Sequence, residues 1–140
     1  MGFQLPFEII SNIASIGLII FLFYRYFQYK KKLDVIKGLD NIKEENKLTS
    51  EDIEFIKTNE KEYKEKLIKT EYNIKVATPA FIFIAGALLI LLPTLQEAMI
   101  HLNVVVVAFI FMQIDKLHKK NLHGFLYQLK QDIKKEEESN

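Results

Sequence analysis

Apolar positions in this chain come in two textures. In "IISNIASIGLIIFLFYRYFQY", residues 9–29, and again from Val76 to Ile114, hydrophobic residues follow one another with few breaks. Elsewhere they recur every three or four residues among charges: Val35, Ile36, Leu39 and Ile42; Ile53, Ile56, Tyr63, Leu67 and Ile74; Leu122, Phe125, Leu126, Leu129 and Ile133. This second texture is the single apolar face of an amphipathic helix, and the 53–74 set falls on an a/d-like, coiled-coil-type seam interrupted by Glu60 and Thr70. The first texture has no polar face, so such a helix belongs in a core or in lipid.

Length separates those two settings. The uncharged run Ile9–Tyr24 spans roughly 24 Å as a helix, and Tyr24, Tyr26, Phe27 and Tyr29 extend it as an interfacial aromatic flank toward the ~30 Å thickness of a hydrocarbon core. "MGFQLPFE" before it carries no positive charge and no small-x-small site follows, so it does not read as a cleavable signal. The run Val76–Ile114 holds 39 residues and one formal charge, Glu97. A single helix of that length would reach about 60 Å, twice the core, so the run must fold back. Pro93 is the break, because its ring removes an N–H and clashes with the preceding turn. Thr94 and Glu97 then form the capping-box pattern of a new helix start.

The resulting division is an extracytoplasmic tail over 1–8 and a transmembrane helix over 9–29. Helical arms follow over 30–75 with a turn near 45–49. A transmembrane helix at 76–92, an outer turn at 93–94 and a transmembrane helix at 95–114 come next. An amphipathic helix with a frayed tail completes the chain over 115–140. Thr49 is the expected N-cap of the second arm, with Leu48 and Ile53 as its staple. The third amphipathic stretch is expected to pack on the two arms, with a position flat on the membrane as the alternative.

Composition changes the picture only once it is mapped. The chain of 140 residues is 49% hydrophobic and 26% charged with net charge +1, which looks ordinary. All nineteen Lys and Arg, however, lie in 25–75 and 116–135. A basic residue at a bilayer centre costs roughly 2.5–3.5 kcal/mol on insertion scales, so a membrane protein must sort charge in this way. The basic residues flank the inner ends of all three spans and are missing from the tail and the 93–101 turn. The expected orientation is therefore N-terminus outside, C-terminus and arms in the cytoplasm. The fold class expected is an all-α integral membrane protein of the inner (cytoplasmic) membrane, its three spans extended by cytoplasmic helices in a stalk or bundle.

Candidate chemistry is sparse. With no cysteine there is no disulfide, thiolate nucleophile or cysteine metal cluster. No phosphate loop, HExxH or nucleophile elbow occurs, so no catalytic residue, metal site or cofactor is expected. Interleaved acids and bases argue against nucleic acid as a partner. Asn12, Asn103 and Thr78 are polar residues inside spans; Asn12 and Asn103 approach from the same side and are candidates for a mutual hydrogen bond. Glu97 and His101 share a helix face at the outer end as a candidate pair. Arg25, Lys30, Lys31 and Lys32 are candidate contacts for anionic lipid.

No family's motifs are matched residue by residue. In topology alone the layout resembles the flagellar-stator and Tol/Exb-type proton-channel subunits, although it is shorter and lacks a polar pore-lining pattern. It also resembles three-span phage holins, whose loops are shorter. The expected function is that of a small inner-membrane accessory or scaffold protein, not an enzyme. Its partners would be membrane lipids and either a membrane protein or further copies of itself. A homo-oligomeric pore and an immunity protein against a membrane-active toxin are the alternatives.

Overall fold

A computed structural model describes residues 4–139. Its described residues are 94% helical and contain no strand. Helix α1 runs Gln4–Glu44, α2 Ser50–Leu91 and α3 Leu95–Ser139. Each is long and apolar enough over part of its length to cross a membrane.

Both helix breaks are chemically specified. At the end of α1, Asn46 adopts φ 58°. There Asn46 N–H donates to Lys43 O and Lys47 N–H to Ile42 O, both at 3.0 Å. This pair of bonds around one left-handed residue is the Schellman arrangement, and Asn tolerates that conformation better than any other residue except Gly. Thr49 then starts α2: its Oγ1 accepts from Asp52 N–H at 3.1 Å, and its own N–H donates back to Asp52 Oδ2 at 3.1 Å. At the second break α2 stops at Leu91, ahead of Pro93. Thr94 Oγ1 accepts from Glu97 N–H at 3.2 Å and opens α3.

The chain divides into two compact units, each drawing on all three helices. The charged unit, Tyr26–Glu71 with the residues from Lys116 onward, has a conventional interior. Ile36 and Leu39 of α1, Ile56 and Tyr63 of α2, and Leu122, Leu126, Leu129 and Ile133 of α3 form one buried cluster. Leu48 and Ile53, the staple pair, pack against it. The third amphipathic stretch therefore packs on the two arms. The face expected on α1 is shifted: Val35 and Ile42 are exposed, and Tyr29 and Leu33 take their places beside the cluster. The seam runs from Tyr29 through Leu33 and Ile36 to Leu39, a stripe the 35–42 pattern only grazes. Phe125 lies at the edge, 41% exposed.

The apolar unit, which includes the described residues up to Arg25 and Tyr72–Asp115, is built the other way round. Ala98 is its only buried residue among those described. Ile13, Ile20, Ile82, Phe83, Ile90 and Leu91 all point outward. Rings join its helices: Phe21 stacks on Phe111 with centroids 5.3 Å apart, and Phe81 meets Phe109 edge-on at 5.8 Å.

Candidate functional site

In the apolar unit α1 and α3 run side by side at a fixed offset. Ser11 Oγ and His101 Nδ1 share a hydrogen bond of 2.6 Å, Phe21 stacks on Phe111, and Arg25 donates to Asp115 Oδ1 at 2.9 Å. Each pair is separated by 90 residues, so the two helices are parallel and in register across this unit. Arg25 is the first charge after the uncharged run of α1, and Asp115 the first after the run that follows Glu97. Two parallel helices with equal apolar lengths bring such residues together, so this pairing was available from the sequence once the helices were placed parallel. The Ser11–His101 bond carried no comparable signal.

The predicted polar residues fall as follows. Asn12 and Asn103 are both exposed, and neither amide has a side-chain partner among the described residues. Thr78 donates to Ile74 O at 2.6 Å within its own helix, one residue before Pro79. Glu97 and His101 line one cavity of about 320 Å³ with Phe7, Glu8, Leu88 and Leu92. No group of three or more His, Asp or Glu among the described residues is placed to hold a metal. Ser15 Oγ is buried with no hydrogen-bond partner among the described residues. Of the candidate lipid contacts, Arg25 is paired to Asp115, while Lys30, Lys31 and Lys32 are exposed.

The charged unit holds the polar residues that interrupt its seams. Glu60, 5% exposed, lies 3.1 Å from His123 Nε2 and 3.3 Å from Lys130 Nζ. Burial pushes its carboxyl upward, but the hydrogen bonds from His123 and Lys130 outweigh it and hold the group below the ordinary range. Thr70, also buried, accepts from Lys119 Nζ at 2.8 Å. Lys43 donates to Asp132 at 2.7 Å and lies 3.2 Å from Asp40. The Asp132 bond holds its ammonium above the ordinary range against the opposing effect of burial. His118 stacks on Tyr29 with centroids 4.1 Å apart. Lys32 and Lys66 lie 5.4 and 5.0 Å from the Tyr63 ring centre, beside a groove of about 270 Å³.

Nothing in this set joins a nucleophile to a base and an oriented third group. What it arranges is helix pairing: each polar contact between helices named here within a unit fixes the level or rotation of one helix against another. Comparison with family models, curated proteins and solved structures returns no match.

Proposed function

We propose that this protein is a small inner-membrane scaffold. Three spans cross the bilayer with the N-terminus outside, and the charged unit lies in the cytoplasm. The protein works by helix–helix association with a membrane partner or with itself rather than by catalysis. The observation that carries this reading is the inversion of burial between the two units. The charged unit buries eight apolar side chains in one cluster, whereas the apolar unit, richer in large hydrophobics, buries only Ala98 among the described residues and leaves many of the rest exposed. Water penalises an apolar surface of that extent, and soluble monomers rarely expose contiguous patches beyond a few hundred Å². Hydrocarbon accepts it, and between lipid-solvated helices association rests on packing and hydrogen bonds; within the apolar unit the Phe21–Phe111 and Phe81–Phe109 ring contacts and the Ser11–His101 bond are of that kind. The absence of Lys and Arg from 1–24 and 76–115 supports the orientation.

Detergent-purified protein reconstituted in liposomes tests the activity. A scaffold leaves the liposomes as tight to protons and potassium as protein-free ones and co-purifies with a membrane protein in fixed stoichiometry or with further copies of itself. Ion flux that scales with protein content overturns the scaffold in favour of a pore.

A further inference from the structure

Within the broad exposed arc of α1, which also carries Ile10, Ile13 and Ile20, one stripe holds a carboxamide. Ile9, Asn12, Ile16, Ile19 and Phe23 are spaced three, four, three and four residues apart, so they form a single seam along the helix. All five are exposed, the four hydrophobic ones by 42–60%. The neighbouring face, with Ser11, Ala14, Ser15, Leu18 and Leu22, is the one turned toward the rest of the chain, and of these Leu18 lies nearly opposite Ile16. Lipid solvates isoleucine and phenylalanine. It offers nothing to a carboxamide, and an amide left without a partner in hydrocarbon costs several kcal/mol.

We propose that a second copy of this chain covers the seam, with two α1 helices packed in parallel about a two-fold axis along the membrane normal and Asn12 facing Asn12. This rests on the membrane reading above, which supplies its geometry. Copies inserted with one orientation hold their α1 helices parallel, so each Asn12 meets its equivalent at the same depth. A carboxamide carries both N–H donors and a carbonyl acceptor, so two of them facing across a two-fold axis close reciprocal N–H···O bonds. A single amide in an otherwise apolar seam also fixes register, because any slip along the helix separates the pair. Asn103 supplies the rival arrangement. The Ser11–His101 bond sets it one residue from the level of Asn12, about 1.5 Å in depth. A head-to-tail contact of Asn12 with Asn103 of the next copy would build a ring instead.

The chain has no cysteine, so single cysteines report the contact cleanly. In native membranes under mild oxidation, Ile16→Cys should give a disulfide-linked dimer and Leu18→Cys, nearly opposite it, should stay monomeric. Energy transfer between labelled copies, diluted with lipid in liposomes, should show self-association about 5- to 30-fold weaker for Asn12→Leu, with Asn12→Gln restoring much of it. An unlinked Ile16→Cys in protein that still fractionates with the membrane overturns the dimer and leaves the membrane reading standing. Failure to fractionate with the membrane overturns both. Linkage found only between Asn12→Cys in one copy and Asn103→Cys in another replaces the two-fold pair by a ring. Self-association of Asn12→Leu equal to that of the unaltered protein removes the amide from the contact.

Discussion

Glu60 shows why a buried charge is judged by what remains when a partner goes. It is 5% exposed, but Lys130 beside it is 40% exposed at the side chain and can return to water. Removing the carboxylate therefore strands little: Glu60→Met should cost about 1 kcal/mol or less, because a well-packed apolar isostere often replaces a buried ion at little loss. Removing the partners is the harsher change. His123→Leu with Lys130→Met leaves the carboxylate buried and unpaired, at about 3 kcal/mol or more. Thermal unfolding of the full chain, followed by circular dichroism, should rank the variants in that order; equal losses would mean that Glu60 reaches water in the native state. The same site gives a pH dependence. Its native carboxyl lies below the ordinary glutamate value, so the unfolded chain binds the proton more readily. The stabilisation is complete above about pH 4.3 and disappears as pH falls through the lower native value. Lys43 acts at the other end: its raised ammonium stabilises fully below about pH 10.4 and ceases to do so as pH climbs through the raised value. Glu60→Gln should flatten the acid limb and leave the alkaline limb intact.

At the scale of the element, the ends of the helices carry more information than their middles. Asn46 sits at φ 58°, where glycine is unstrained and β-branched residues are not. Asn46→Gly should leave stability unchanged within about 0.5 kcal/mol, and Asn46→Val should lower it by about 1–2 kcal/mol. Thr49→Ala removes the acceptor for Asp52 N–H and should cost about 1 kcal/mol. Melting curves of the three variants separate backbone strain from lost capping. These ends were partly legible in the sequence, since Thr49, Thr94 and Pro93 announce themselves by residue type. The Schellman turn was only half legible: Asn46 is the one residue of "EENK" suited to a left-handed conformation, but the bonds to Ile42 and Lys43 are what fix the helix end there. The all-helical class and the three apolar helices were legible for a simple reason: both depend on periodicity and length within one segment. The seam of α2 was legible down to its polar members Glu60 and Thr70. Their partners His123, Lys130 and Lys119 lie at least 49 residues away, and local pattern carries no register between helices. Asn12 and Asn103 mark the same limit. Their similar depth was readable, but whether they faced each other depended on helix rotation, and both turn outward.

For the molecule as a whole, the distribution of basic residues makes the proposed orientation testable without knowing the function. Of nineteen Lys and Arg, only Arg25 and Lys75 belong to the apolar unit, and each stands at the border of an uncharged run. Arg25 is held by Asp115, which lowers the cost of keeping a cation at the end of a span. The break between α2 and α3 has no basic residue and none within a turn on either side, whereas the break between α1 and α2 carries Lys47 and follows Lys43 in the last turn of α1. Loops retained in the cytoplasm carry the excess of Lys and Arg, so the two breaks should lie on opposite sides of the membrane. Gln96 and Lys47 are both exposed, and with no native cysteine a single thiol at either position is the only one in the protein. In intact cells, Gln96→Cys should react with a membrane-impermeant maleimide and Lys47→Cys should react only after the membrane is opened. Reaction at both positions in intact cells would place the charged unit outside and contradict the basic-residue bias. Labelling of Lys47→Cys alone would invert the topology while leaving the three spans in place. The position of the breaks follows from helix chemistry and their sidedness from charge, so either result leaves the other inference intact.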